Sequence, residues 1–256
     1  MRQTIAEQKI EIPYPDAAEA SLVLRTGPCR IRFSVTDGPA WIAGSYVDPT
    51  GVLPLQIHPG AVTTIAQSLD LSAIGTAELP RLELAFARQR PFALEIQAGA
   101  SETTFDLGGM PLTKLVLRAG AGKFDVDFAQ PNPTTMRSME LSAGAGALSA
   151  KRLANARFLT LRVGGGVSAS TLDFSGPLVT DATVRIDAGL GSIDVFVPSL
   201  TPVRVRPKAF AATVRASGGF SRQGDSYATT PAIQGAHPLL EVEASVAFGA
   251  LNLVAS

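Results

Sequence analysis

Asp106, Asp125 and Asp127 are the residues of this chain best placed to do chemistry. They gain that standing only if the chain folds into stacked coils. Aligned coils put Asp106, Asp127 and Lys151 ten residues after the aliphatic positions Ile96, Leu117 and Leu141, and neighbouring rungs of a sheet lie ~4.8 Å apart. Asp125, two residues before Asp127, shares its strand face. Carboxylates held about 5–5.5 Å apart are the pair that retaining glycoside hydrolysis uses, and a cluster of such oxygens is equally a ligand set for Ca²⁺. The blander reading is an acidic strip on a solvated face, partly neutralised by Lys151. No histidine accompanies the cluster and no aromatic platform for a sugar ring stands on that face. The acidic strip is therefore the expectation, with no catalytic, cofactor-binding or metal-ligating residue assigned.

Other chemical motifs are weaker. Gly164-Gly165-Gly166-Val167-Ser168-Ala169 fits G-x-G-x-x-A, but a dinucleotide fingerprint must open a helix, and Val167 to Phe174 has no helical period. Gly122-Lys123 fails as a P-loop, because Leu117 stands where the first glycine is needed and Phe124 replaces Ser or Thr. His58 and His237 each precede a proline in a turn context, and Ser168 and Ser170 have no identifiable base. Cys29 alternates with Ile31 and Phe33 and reads as an inward-facing small hydrophobe. One cysteine and two histidines without zinc-type spacing argue against a structural metal.

The elements that must position these residues repeat. Two alternating aliphatics, an Ala-Gly corner and a second alternating run recur at Leu94, Leu115, Met139, Leu159 and Val184. Aligned on Gly99, Gly120, Gly144, Gly164 and Gly189, the copies are spaced by 21, 24, 20 and 25 residues, about one coil each. One apolar column then reads Leu94, Leu115, Met139, Leu159, Val184, and the next Ile96, Leu117, Leu141, Leu161, Ile186. In this alignment Arg162 and Asp187 are cross-rung neighbours able to form an exposed ion pair. The second run restarts seven residues after the second aliphatic, as in Leu117 to Phe124, Leu141 to Leu148 and Ile186 to Ile193. Seven is odd, so an ideal strand would send the second run to solvent. The glycine segment must hold a bulge or corner that re-aims it inward. Leu24 to Ile31 and Ala244 to Leu251 keep the same offset, so both ends look like diverged copies.

The chain of 256 residues is 46% hydrophobic and 17% charged, enough to bury a large core. Lys plus Arg equals Asp plus Glu at 22 each, and Arg81, Arg88, Arg90, Arg152 and Arg157 lack aromatic interleaving, which argues against nucleic acid. The first residues have no apolar run of signal-peptide length and no stretch approaches the ~20 residues of a membrane span, so the expected location is cytoplasmic. Thr36 to Glu78 and Pro202 to Pro238 are less regular and read as caps; the Val62, Ile65, Ala66, Leu69 spacing is weakly helical. The expected fold is all-β, one right-handed β-solenoid array of about five to seven coils. Residues 1–80 form N-terminal strands and a cap, 81–201 the regular coils, and 202–256 a C-terminal cap and last coil.

Gly191-Ser192-Ile193-Asp194-Val195-Phe196-Val197-Pro198, the closing Phe248-Gly249-Ala250-Leu251-Asn252-Leu253 and the repeated Leu-x-Leu-x-Ala-Gly-x-Gly phrases resemble the C-terminal domain of LiaF-like cell-wall-active antibiotic response proteins, the toastrack fold. The resemblance implies a regulatory module that works beside membrane helices on a histidine kinase, with no catalytic residue to carry over. This chain lacks those helices, so a protein partner such as a membrane-bound sensor or kinase is the expectation. Similar glycine-rich strands occur in bactofilins, which makes a self-assembling scaffold the alternative, and a carbohydrate-active or Ca²⁺-binding β-helix using Asp106, Asp125 and Asp127 the third.

Overall fold

The computed structural model describes residues 7–68, 78–99 and 101–256. Strict apolar alternation produces strands almost throughout. The repeated phrase becomes a strand of sixteen residues in β10 (Leu112–Asp127), β11 (Met136–Lys151), β12 (Phe158–Asp173), β13 (Ala182–Val197), β14 (Val203–Gly218) and β17 (Leu240–Ala255). Towards the N-terminus the same design is split into β2 (Ala20–Thr26) with β3 (Arg30–Thr36), and β8 (Phe92–Ala98) with β9 (Ser101–Asp106). The rest are β1 (Glu7–Ile12), β4 (Ile42–Val47), β5 (Leu55–His58), β6 (Val62–Gln67), β7 (Arg81–Ala87), β15 (Phe220–Gln223), β16 (Ser226–Thr229) and a short helix α1 (Thr230–Ile233).

Each long strand changes its buried face at the glycine corner. In β10, Leu115, Leu117 and Ala119 are buried before it, and Phe124 and Val126 after it. The seven-residue offset is thus a real inversion of the pleat, and it recurs with Leu141 and Leu148, Ile186 and Ile193, and Ala244 and Leu251, all buried. At the corner Gly146 has φ 133° and a Cβ there would lie 1.9 Å from the Gly122 carbonyl oxygen. Gly249 repeats this over Gly191, with φ 123° and 1.8 Å. Only glycine fits that backbone and that approach. Parallel pairing in register then stacks the corners, so the strand halves before them form a first wall and those after them a second, with the core between.

The fourth copy is registered differently from the sequence alignment. Ala143 pairs with Gly165 and Gly165 with Ala188, so the stacked glycines are Gly99, Gly120, Gly144, Gly166 and Gly189. The spacings become 21, 24, 22 and 23 residues. Leu161 and Val163, not Leu159 and Leu161, occupy the core columns, and Leu159 is 40% exposed. A run of three glycines offers two anchors, and a slip of two residues leaves the in-out alternation unchanged. The expected Arg162–Asp187 pair falls with it. Arg162 lies opposite Arg185 and Asp187 opposite Gly164, while Asp187 accepts a 2.9 Å hydrogen bond from Arg185 Nε on its own strand.

Strand order also departs from chain order. The main sheet runs β15-β16-β14-β17-β13-β12-β11-β10-β8-β2-β6-β5, so the last strand inserts between β13 and β14. The segment from Pro202 to Pro238, read as irregular, holds all of β14 and the β15–β16 hairpin. The weakly helical spacing at Val62 is instead β6, paired with β2 and β5; Leu69 lies outside the described residues. In the second wall β9 pairs with β10, while β3 belongs to a separate four-stranded sheet, β1-β4-β7-β3. Phe33 and Phe105 bridge the two sheets with ring centroids 5.2 Å apart.

The register makes a direct expectation. Leu141→Ala removes a side chain with no exposure and should cost ~2–5 kcal/mol in urea denaturation, whereas Leu159→Ala should change stability by less than about 0.5 kcal/mol.

Candidate functional site

Register brings the acidic residues together. Asp106 lies opposite Asp127 across the β9–β10 pair, Asp127 lies opposite Lys151 across β10–β11, and Asp125 is two residues from Asp127 on β10. Each carboxylate has at least one partner already. Asp106 Oδ1 accepts from the Gly108 N–H at 2.9 Å and from the Ala129 N–H at 3.4 Å, tying the turns that follow β9 and β10. Asp127 Oδ2 is held by the Arg152 guanidinium, which leaves β11 in the left-handed region at φ 54°. Asp127 Oδ1 is buried without a hydrogen-bond partner. Asp125 sits 3.7 Å from Lys123, a largely exposed and hence screened ion pair. Each of the three carboxylates thus has a backbone or cationic partner at the end of a coil. Among the described residues no three His, Cys, Asp or Glu side chains converge as a metal-binding group. Asp106 also stands on the rim of a cleft of about 450 Å³ between β3 and β9, with Arg30, Arg32 and Thr104.

The remaining chemical candidates disperse. Gly164 to Gly166 lie inside β12 and Lys123 inside β10, so neither opens a helix. His58 ends β5, far along the chain from the exposed His237, whose Nδ1 is 3.0 Å from Asp181 Oδ1. That hydrogen bond, with a second from the Leu239 N–H, holds the Asp181 carboxyl below its usual range and fastens the turn before β17. Of the five arginines, Arg90 donates to the Ala17 carbonyl at 2.8 Å and stacks over Tyr14, and Arg152 is spent on Asp127. Cys29 is 1% exposed, and burial pushes its thiol up to about 12. The buried thiol fills space beside Tyr46, whose hydroxyl is also pushed up by burial.

The feature that composition did not reveal lies on the outside of the corner. One register column reads Ala121, Ala145, Val167, Leu190, Phe248, Ala211. Leu190 is 50% exposed and Phe248 51%. Beside them on β14, Phe210 is 87% exposed and packs edge-to-face on Phe248 at 6.2 Å. A hollow of about 380 Å³ opens there, lined by Phe210, Lys208, Asp187, Ser245 and Val246. The signal was present in the sequence as a large apolar residue after the first glycine position, where the copies at Gly99, Gly120 and Gly144 carry Ala. It is an apolar ridge of the kind that marks interaction surfaces.

The two-walled array of bent parallel strands now has a counterpart among known families, since residues 2–151 match the family described as the N-terminal domain of toast_rack, DUF2154. The chain belongs to the toast_rack family. The match agrees with the toastrack resemblance, although the segments from Gly191 to Pro198 and from Phe248 to Leu253 lie beyond the matched span. No curated protein matches the chain. Among solved structures, a protein from Clostridium sporogenes described as a cell-adhesion candidate is similar at 16% identity and TM-score 0.47, over 99% of this chain and 100% of that one. An adhesin candidate from Bacteroides fragilis is similar at 11% identity and TM-score 0.49, over 98% of each chain. No helix among the described residues is long and apolar enough to cross a membrane.

The Cys29 environment sets two expectations. Ellman's reagent should leave the native thiol unlabelled at neutral pH and label it fully once the toast_rack domain is unfolded in guanidinium. Because burial raises the folded thiol from 9.0 to about 12, the stability it contributes is complete below pH 9 and is lost as pH rises toward 12. Cys29→Ala should flatten that alkaline decline in thermal melts.

Proposed function

We propose that this toast_rack protein is a non-enzymatic interaction module, acting in an envelope-stress response through a membrane-bound sensor or kinase that it meets on the cytoplasmic side. The observation that carries the reading is the exposed ridge of Leu190, Phe248 and Phe210. Burying large apolar side chains is worth about 1.5–3 kcal/mol each, and three neighbouring strands present these side chains together. Lys208 and Asp187 at its margin favour a partner whose apolar contact surface is rimmed by charges of both signs. The carboxylates, by contrast, are occupied by backbone N–H groups and Arg152, which supports a structural role for them.

The test is capture from a native lysate with membranes included, using the unmutated protein, Phe210→Glu with Phe248→Glu, and Asp106→Asn with Asp127→Asn as parallel baits. A sensor or kinase recovered by the first and third baits and lost from the second supports the proposal. Recovery of the same set by all three removes the ridge as the docking surface.

A further inference from the structure

The two walls end differently. The first wall is closed at both ends by antiparallel hairpins, β5–β6 against β2 and β15–β16 against β14. β16 reaches only Arg204 and Val205 of β14. Beyond them, from Arg206 to Gly218, no strand among the described residues pairs with the outer edge of β14. Pro207 supplies no N–H near the corner, so the usable edge is the second-wall half, from Ala211 to Gly218. Its inward side chains Ala212, Val214 and Ala216 pack on the core yet stay half-buried. Past β9, at the opposite end, β1 is the edge strand of the separate four-stranded sheet, where among the described residues it pairs with β4 alone.

We infer that the second-wall edge of β14 pairs with β1 of another copy of this chain, head to tail. Strand polarity fits. β3 and β9 both leave the corner that ends β2 and β8; β7 is parallel to β3, β4 antiparallel to β7, and β1 antiparallel to β4. β1 therefore runs in the sense of the array, and its addition to β14 continues a parallel sheet. The alternation fits as well. β1 buries Ile10 and Ile12 and exposes Lys9 and Glu11. The parallel register that sets Ile10 beside Val214 and Ile12 beside Ala216 also sets Glu11 across from Arg215 and Lys9 across from Thr213. Charge selects this pairing over the symmetric one. The usable half of β14 carries Arg215 and no acid, so two such edges meeting each other would bring cations together without an opposite charge. A heterologous contact between opposite ends leaves a free end on each copy and so propagates beyond the dimer, into a linear array or a ring according to its rotation.

The experiment is sedimentation velocity of the full chain across a concentration series, with circular dichroism to confirm that each variant folds. The unmutated protein should show a weight-average mass that keeps rising with concentration, past the dimer. Arg215→Glu should weaken the step about tenfold, equivalent to roughly 1.4 kcal/mol, and adding Glu11→Arg to it should restore assembly. A mass that stays at the monomer, one that stops at the dimer, or a double variant no better than Arg215→Glu would overturn the inference. These readouts involve neither Leu190 nor Phe248, so a failure here leaves the ridge proposal standing, and failure of that proposal leaves this one standing.

Discussion

Everything in this structure depends on a strand being able to turn its buried face over while keeping both hydrogen-bonded neighbours. An odd offset between two apolar runs would expose one of them on any straight strand. The chain solves this by stacking corners so tightly that the carbonyl of one glycine occupies the space a side chain would need on the next, 1.9 Å from the position of a Cβ at Gly146. Because the corners sit in register, each strand keeps the same neighbours on both sides of the reversal and loses only the pair at the corner itself, Gly120 with Gly144 in β10 and β11, and both walls face one core. A single alanine-sized group at Gly146 or Gly249 would have to separate two backbones along the stack.

What was legible in the sequence follows from that constraint. Leu115, Leu117, Met139, Leu141, Val184 and Ile186 alternate strictly, and the seven-residue offset announces the corner without any structural knowledge. The register of the fourth coil was not legible, since Gly164-Gly165-Gly166 offers two equivalent anchors and period-two patterns are blind to a shift of two. Strand order was hidden for a different reason. Each long strand carries an apolar pattern compatible with several neighbours, so nothing local says that β17 slides between β13 and β14. That placement is a tertiary decision, and it leaves β14 outermost.

The candidate site shows the same division. The adjacency of Asp106 and Asp127 follows from coil spacing alone and is what the register shows. Their employment is set by turn residues that spacing does not locate, namely the N–H groups of Gly108 and Ala129 and the left-handed Arg152. The apolar ridge was overlooked because Leu190 and Phe248 sit within an Ala-Gly phrase that reads as pure architecture, and Phe210 lies in a strand whose regularity its proline obscures. In a repeat protein, function is carried by departures from the repeat rather than by the repeat itself.

The account stands on the insertion of β17, which makes the last strand of the chain an interior one and leaves β14 as an open edge. Native-state hydrogen–deuterium exchange resolved by peptide mass spectrometry, on protein dilute enough to be monomeric, measures this directly. The structure predicts that amides of β17 across Val242–Leu253 are among the slowest to exchange and that those of β14 across Ala211–Gly218 are far faster. Slow exchange along all of β14 together with rapid exchange in β17 would place the strands in chain order and contradict the architecture on which both surfaces depend.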